Sequence, residues 1–491
     1  MLSDKIIVLG VTGSIAAYKA AEIASQLTQA GARVNVIMTR EALQFISPVT
    51  FRALTGRPVV TEMFDLASEF SIEHVSLAES ADIVVIAPAT ANIIAKLAVG
   101  IADDMLCCTV LATRAPVIIA PAMESNMYAN LVTQDNLSKL QKQSFTIVGP
   151  GQGRLASGKE GQGRLADIGD IIGTIRRVLG KNLDLAGRHI VVTAGGTQEP
   201  IDPVRYISNR SSGKMGYALA EAARDRGAKV SLITAPASLP KPAGVNVIDI
   251  GTAQEMQRAV KDTVSQADVL IMAAAVADYR PASMAKDKIK KRDMELTLEL
   301  AVTPDILGSV KGNFIKVGFA AESSNLVENA KEKLQQKGID FIVANDITAS
   351  DSGFNVDTNR VTIIDREGRV DSLPLLSKRE VADKILDKVV EIILMCKSLE
   401  INLTRTEIFD RRIFIPDGKR HWFPGDEERF TIETDDNGKF EAYVYHAHRK
   451  HDKDHIHGLG LWFQRHPELK AGDTLTIEVI ESMKRYRLRI A

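Results

Sequence analysis

Two short stretches of this chain have the residue types needed to seat a phosphate. Gly10-Val-Thr-Gly13-Ser14 lies between an apolar run and an amphipathic one. In that position exposed backbone amides and the start of a helix together favour an anion. Ser211-Ser212-Gly213-Lys214 offers a second nest of the same kind. It is not a Walker A loop, because Met215 stands where a Ser or Thr would hold Mg²⁺. Two further groups of cations could serve an anionic ligand or simply face water: the run Lys286–Arg292, and Lys333 with Lys337, four residues apart on one face of a helix. A third kind of chemistry is suggested near the C-terminus. His446, His448, His451, His455 and His457 are dense enough to raise a metal site, although the interleaved Lys and Asp residues favour a solvated polar loop. The metal therefore stays unknown.

Those residues need a frame, and the first ~180 residues supply one. A strand at Ile6–Leu9, the glycine turn, a helix from about Ile15 stopped by Gly31, and a strand at Arg33–Met38 make a βαβ unit with a parallel sheet. Ile83–Ala87 and Val117–Ala120 are continuous apolar runs, as expected for central strands covered on both faces. The grammar restarts near residue 188, with strand His189–Thr193, turn Gly195-Gly196, helix Tyr217–Arg226 and strand Lys229–Ile233. Ala81-Asp82-Ile83-Val84-Val85-Ile86-Ala87 is echoed by Ala267-Asp268-Val269-Leu270-Ile271-Met272-Ala273. The fold class is α/β: two doubly wound, Rossmann-like domains, the first flavodoxin-like, joined near Asp184–Gly187. Residues 401–491 differ, holding both tryptophans, eleven of the 25 aromatics and seven of the nine histidines. Their short alternating segments, Phe440–Tyr445 and Thr474–Val479, predict a small all-β domain. The expected domains are 1–185, 186–397 and 398–491.

Composition narrows the function classes. A net charge of -1 leaves no excess of cations for a general nucleic-acid or membrane-surface binder, and the sixteen basic residues of 401–491 are matched by sixteen acidic ones. No apolar run approaches the ~18 residues of a membrane span, and no signal-peptide pattern opens the sequence. Three cysteines, two of them adjacent at 107 and 108, do not make a disulfide framework. The chain reads as cytoplasmic.

In order along the first domain come Gly13-Ser-Ile-Ala-Ala-Tyr-Lys19, Pro88-Ala-Thr-Ala-Asn92, and Pro121-Ala-Met123 through Met127-Tyr128. Together these resemble the flavoprotein family of cysteine decarboxylases that includes phosphopantothenoylcysteine decarboxylase. The resemblance implies FMN held around Gly13, Ser14, Thr39, Thr90, Asn92 and Met123, with His74 as the catalytic histidine. It also explains a flavin: loss of CO₂ from a cysteine carboxyl needs an electron sink, and oxidising the thiol to a thioaldehyde provides one. Two positions depart from the family pattern. Glu124 fills the place of the usual Asn, and an ionised Glu would repel a substrate carboxylate; Ser157, in Ala156-Ser-Gly158, replaces the cysteine that usually donates a proton.

The second domain carries the more specific pattern. Thr193-Ala-Gly-Gly-Thr-Gln-Glu199 through Asn209-Arg-Ser-Ser-Gly213-Lys214-Met-Gly216, then Ala274-Ala-Val-Ala-Asp278-Tyr279, Thr303-Pro-Asp-Ile306, Gly318-Phe319-Ala-Ala-Glu322 and Ala344-Asn345-Asp346 closely resemble phosphopantothenate–cysteine ligase. A carboxylate is a poor electrophile, and this family activates it with CTP (and Mg²⁺) as an acyl-cytidylate before L-cysteine attacks. By the resemblance Asn209 handles the acyl-cytidylate, with Arg205 nearby and Lys288 also catalytic, on a flap over the nucleotide. The CTP site would draw on Met272, Ala273, Ala274, Asp278, Lys288, Pro304, Asp305, Ile306, Phe319, Lys333 and Lys337.

The whole therefore resembles a bifunctional coenzyme A enzyme that turns 4′-phosphopantothenate, L-cysteine and CTP into 4′-phosphopantetheine, assembled as a homo-oligomer. Two other readings stay open. One is an active ligase with an impaired or structural flavin domain; the other is a flavin-dependent DNA-binding regulator acting through the C-terminal domain.

Overall fold

The computed structural model describes residues 2–63, 73–290, 296–312, 314–322, 326–346, 356–395, 398–415, 423, 428–435, 438–445, 454–481 and 485–490. The chain divides into two compact units, Met1–Leu386 and Asp387–Ala491. Within the first unit there are two large sheets.

The N-terminal sheet has six parallel strands: β1 (Ile6–Val11), β2 (Arg33–Met38), β3 (Val59–Val60), β4 (Ile83–Ala89), β5 (Val117–Pro121) and β6 (Thr146–Ile147). Their order is β3-β2-β1-β4-β5-β6, so the chain reverses direction across the sheet between β1 and β4. That is the switch point of a doubly wound fold, where strand ends splay and leave a crevice. Every residue of β4 and β5 is buried, the reason both read as unbroken apolar runs. The helix Ala17–Gln29 turns Ala17, Ala20, Ile23, Ala24 and Leu27 into the core, the spacing of one helical face.

The second sheet is built from Asn246–Asp249, Lys229–Thr234, His189–Ala194, Val269–Met272, Ile315–Glu322, Phe341–Asp346, Val361–Asp365 and Val370–Ser372, in that spatial order. The first six are parallel and the last two antiparallel. The helix expected to begin at Tyr217 begins at Lys214, because Gly213, at φ 76°, turns the chain directly into it. Gly216 then lies so close to the first strand that a Cβ there would fall 2.5 Å from Ala194 Cβ.

The echoed segments Ala81-Asp82 and Ala267-Asp268 have one structural cause. Asp82 accepts hydrogen bonds from the Ile6 amide (2.8 Å) and Lys5 Nζ (2.7 Å). Asp268 does the same for the His189 amide (2.8 Å) and an Arg188 guanidinium nitrogen (2.6 Å). In each domain a carboxylate beginning the central strand fastens the start of the first strand beside it.

The C-terminal unit is a seven-stranded sheet around a core that includes Ile432, Val444, Ile456, Trp462, Ile477, Tyr486 and Leu488. It is not wholly β, since two short helices, Arg405–Asp410 and Gly460–Arg465, belong to it. The first starts at a capping box, Thr404 with Glu407, a local signal that strand periodicity passes over.

Candidate functional site

The switch point of the first sheet opens into a cavity of about 720 Å³. Its floor is made by the β1 turn. Thr12 Oγ1 donates to the Pro88 carbonyl (2.7 Å) and accepts from the Thr90 amide (3.1 Å), tying that turn to the end of β4. Thr90 in turn caps the helix Ala91–Val99, accepting from the Ile93 amide at 3.3 Å. At Gly13 a Cβ would fall 2.4 Å from Glu41 Cβ, so no side chain fits there. The roof is a hairpin of Gly151–Arg154 and Glu160–Arg164, fastened by the Met123 amide donating to the Gly163 carbonyl at 2.9 Å.

Gly13, Ser14, Thr39, Thr90, Asn92, Met123, Glu124 and Ser157 all line this cavity. Ser157 is exposed at the hairpin tip, where Gly158 donates to the Leu155 carbonyl at 2.9 Å. Glu124 is the N-cap of the helix Ser125–Ala129. Its carboxylate accepts from Ser125 Oγ (2.9 Å) and the Asn126 amide (2.6 Å), contacts that hold it below the usual carboxylate range. The expected bare negative charge is thus partly spent on the helix start.

His74 is a different matter. It sits half-buried in the helix Glu73–Ser80, which packs against the helix Met105–Ala112, and it is not among the residues lining the cavity of its own chain. Cys107 and Cys108 lie on that second helix, Cys107 in the core and Cys108 half-buried, and burial pushes both thiols up. Sequence reasoning also passed over Thr12, Arg154 and Arg164. Lys19 and Arg164 both line the cavity, and burial, then Arg164, pushes the Lys19 ammonium down.

One buried hydroxyl bears on the cofactor. Thr39 Oγ1, in a residue 8% exposed, has no hydrogen-bond partner among the described residues. A buried hydroxyl left unpaired costs about 1–3 kcal/mol, which a polar ligand edge in the cavity would recover. With apolar lining residues such as Ile15, Ile93 and Leu165, a side-chain-free turn at Gly13 and this orphan hydroxyl, the residues present fit a flat heteroaromatic cofactor.

The second sheet opens into a cavity of about 640 Å³ at the same topological position. Its wall after the central strand is fixed by two threonines. Thr193 Oγ1 accepts from the Ala274 amide (3.1 Å) and Thr197 Oγ1 from the Ala277 amide (3.0 Å). Asn209 Nδ2 donates to the Val276 carbonyl at 2.9 Å and so lies across this wall. Met272, Ala273, Ala274, Asp278, Pro304, Asp305, Ile306, Phe319, Lys333 and Lys337 line the cavity with it. Lys337 is paired with Asp305 at 3.2 Å.

Arg205 and Lys288 do not reach that lining. Arg205 instead donates to the Ile289 carbonyl (2.9 Å) and pairs with buried Asp202 (3.5 Å), while Asp202 accepts from the Ile289 amide (3.1 Å). The Ala285 amide also donates to the Ile201 carbonyl at 2.9 Å. The basic segment expected as a flap is therefore fastened through residues 285 and 289, with Lys288 exposed between. Lys291 and Arg292 lie outside the described residues. Asn345, Asn359, Lys214 and Lys378 also line it. Of these Asn359 and Lys378 carried no sequence signal, since a Ser-Lys-Arg-Glu helix start reads as a solvated face.

In the C-terminal unit His455 and His457 share a strand face, their Nε2 atoms 2.8 Å apart. An Arg412 guanidinium nitrogen lies 3.2 Å from His455 Nε2, a cation beside the histidine pair. Burial, then His455 and Arg412, pushes His457 down. His446, His448 and His451 lie outside the described residues. On the strand Arg485–Ile490, Arg485 pairs with Glu433 (2.9 Å) and Arg489 with Asp435 and Glu478 (both 3.4 Å), so that these cations are matched by neighbouring carboxylates.

Residues 1–180 match the family model Flavoprotein, and residues 185–393 match the DNA/pantothenate metabolism flavoprotein C-terminal domain. The coenzyme A biosynthesis bifunctional protein CoaBC of Bacillus subtilis is 45% identical over 80% of this chain and 98% of its own length. Its counterpart in Vibrio cholerae is 44% identical over 79% of this chain and 99% of its own. That of Escherichia coli is 43% identical over 79% and 97%. A solved FMN-dependent cysteine decarboxylase, SpaF, is 34% identical over 35% of this chain and 96% of its own, with a TM-score of 0.32. Matched by family models across both α/β domains and by relatives over nearly their full length, the chain belongs to the CoaBC family of bifunctional coenzyme A biosynthesis proteins.

Proposed function

We propose that residues 186–397 join L-cysteine to 4′-phosphopantothenate at the expense of CTP, and that residues 1–185 decarboxylate the product to 4′-phosphopantetheine. The observation that carries this reading is the pair of cavities at equivalent switch points, one suited to a flat aromatic ring and one lined by cations.

In the ligase cavity the pantothenate carboxylate attacks the α-phosphate of CTP, releasing pyrophosphate and leaving an acyl-cytidylate. The cysteine amine then attacks the acyl carbon, CMP departs, and the amine proton passes to solvent or base. Lys333 and Lys337 offset phosphate charge, and Asn209, held across the Val276 carbonyl, faces the acyl oxygens. Asp278 is the carboxylate that could share Mg²⁺ with the phosphates, the usual arrangement for that ion.

In the other cavity FMN, when bound, supplies a reversible two-electron sink for the cysteine thiol. Thr39 donates its hydroxyl to a polar edge, and Gly13 and Ser14 hold the turn beneath. Ser157 stands at the roof where a proton must be delivered, and Glu124, already an acceptor for two donors, is a weaker repellent of the substrate carboxylate than its charge implies. Ile15, Tyr18 and Met127 line the cavity yet are 59%, 61% and 51% exposed, an apolar rim that a second copy of the chain would cover. His74, outside its own chain's cavity, fits this reading by serving a neighbour's. No described helix is long and apolar enough to cross a membrane, and we place the enzyme in the cytoplasm.

Incubation of purified protein with 4′-phosphopantothenate, cysteine, CTP and Mg²⁺, followed by mass spectrometry, tests the reading. It predicts 4′-phosphopantetheine. Accumulation of phosphopantothenoylcysteine would instead support the ligase with a structural flavin domain that Glu124 and Ser157 motivate.

A further inference from the structure

Lys19, Arg154 and Arg164 line the first cavity and have no part in the decarboxylation described above. Lys19 comes from the first turn of the helix Ala17–Gln29, the arginines from the two strands of the roof hairpin. Arg164 lies at the base of that hairpin, in register with Gly151, and its side chain runs over Gly153, where a Cβ would fall 3.7 Å from Nη1. Arg154 is nearer the tip, in register with Glu160. Lys19 is half-buried; burial, then Arg164, pushes its ammonium down, against the opposite pull of Asp167 and Glu22. Lys19 and Arg164 are thus like charges within electrostatic reach of one another. Asp167 lies 3.9 Å from Arg164 with its side chain 81% exposed, and Glu22 already accepts from Gln26 at 3.0 Å. Neither carboxylate lines the cavity, whereas both cations do.

The carboxylates that do line the cavity are engaged elsewhere. Glu41 lies against the Gly13 turn, Asp104 is held by Lys96 (3.0 Å) and the Cys107 amide (2.8 Å), and Glu124 caps its helix. The cavity therefore offers two separate places for an anion. One is the β1 turn, where backbone amides and a helix start suffice without a cation. The other is the edge formed by Lys19 and Arg164, on the hairpin that carries Ser157. The strand Glu160–Arg164 runs about 13 Å from that edge toward the tip. In 4′-phosphopantothenoylcysteine roughly eleven bonds separate the cysteine α-carbon from phosphorus, about 13 Å when extended. A substrate with its carboxyl near Ser157 thus brings its phosphate to the hairpin base. We propose that Lys19 and Arg164 bind the phosphomonoester of 4′-phosphopantothenoylcysteine, and so tie recognition of the substrate's far end to the placement of the hairpin that carries Ser157. The proposal rests on the reading of this cavity as the decarboxylase site. FMN carries the same phosphomonoester, and the test separates the two sources.

The test measures kcat/KM of the flavin-loaded protein on 4′-phosphopantothenoylcysteine and on pantothenoylcysteine, which lacks only the phosphate. Wild type is compared with Lys19→Met and Arg164→Met, which keep the aliphatic stems, and with Arg164→Lys, which keeps the charge. The readout is each protein's preference for the phosphorylated substrate, so a loss of folded enzyme cancels. Flavin absorbance per chain is recorded alongside. Loss of a charge-assisted contact predicts that the preference falls about 10- to 100-fold in Arg164→Met and about tenfold in Lys19→Met. Arg164→Lys should retain more of it than Arg164→Met, and the wild-type preference should weaken as salt is raised, because the edge is partly exposed. A preference unchanged in both Met variants overturns the proposal, as does a wild type that shows none. A fall in flavin content with the preference intact also overturns it, and assigns these cations to the FMN phosphate. If flavin-loaded wild type decarboxylates neither compound, it is the decarboxylase reading that fails, and the proposal falls with it.

Discussion

The two α/β domains start from the same device and end in different chemistry. In both, an aspartate at the head of the central strand fastens the first strand, and a threonine at the end of the first strand fastens the loop that follows the central one. The cavities that result are of similar volume, about 720 and 640 Å³, and occupy equivalent places. What separates them is what each domain adds around that frame. The first adds a hairpin roof and leaves the Thr39 hydroxyl without a partner among the described residues. The second adds lysines from three helices. The frame makes a crevice, and the additions choose between a ring and a phosphate.

If the roof belongs to the first cavity alone, the largest effect should come from Gly163→Ala. Gly163 has φ 154°, and a Cβ there would lie 2.2 Å from the Met123 carbonyl oxygen. The hairpin cannot dock without moving. Flavin content should collapse and decarboxylation should fall by more than about 100-fold, while CTP-dependent ligation persists; absorbance per chain and product analysis read both. Loss of ligation as well would mean the cavities are not independent.

The shared anchors predict a symmetrical result. Asp82→Ala and Asp268→Ala should each cost about 1–3 kcal/mol in the stability of the altered domain, measured by denaturant unfolding with domain-specific probes. Asp82 also gives the comparison a pH axis. Burial opposes its charge, but Lys5 and the Ile6 amide outweigh that and hold the carboxyl below its usual range. The stability it contributes is present above the unfolded carboxylate pKa and is lost as pH falls through the folded one, so the Ala variant should lose the acid end of the stability profile.

Thr39→Val should weaken flavin binding by about tenfold while leaving the flavin-free protein as stable or more so, because it removes an unpaired buried hydroxyl. A destabilised flavin-free protein would show that the hydroxyl serves the fold and not the ligand. The smallest effect should follow Glu124→Asn. Either side chain can cap the helix Ser125–Ala129, so decarboxylation should change by less than about threefold.

Much of this was legible in the sequence, for definite reasons. Parallel strands buried on both faces are written as apolar runs, and the glycines of the β1 turn mark the crevice. Long ordered patterns placed Asn209, Asp278 and Lys333 at one cavity. What escaped were residues whose role depends on distant partners. Arg205 is not among the residues lining its own chain's cavity and instead reaches the Ile289 carbonyl and Asp202, contacts that no motif announces. His74 is not among the residues that line its own chain's cavity. Lys378, 164 residues beyond Lys214, becomes notable only when the fold brings both to one wall. In the C-terminal unit the histidine density raised a metal site without favouring it over a polar loop, and Arg412 beside His455 is a contact no spacing rule contains.

The account's central claim is that one chain carries two separable reactions, and reciprocal variants test it most directly. Asn209→Ala and Gly163→Ala proteins, each checked for folding by circular dichroism, would be given either phosphopantothenoylcysteine or the ligase substrates with CTP. The account predicts that the Asn209 variant releases CO₂ from phosphopantothenoylcysteine but makes little of it. The Gly163 variant should make phosphopantothenoylcysteine and leave it carboxylated. A folded variant of either kind that loses both reactions would contradict the separation of the two sites.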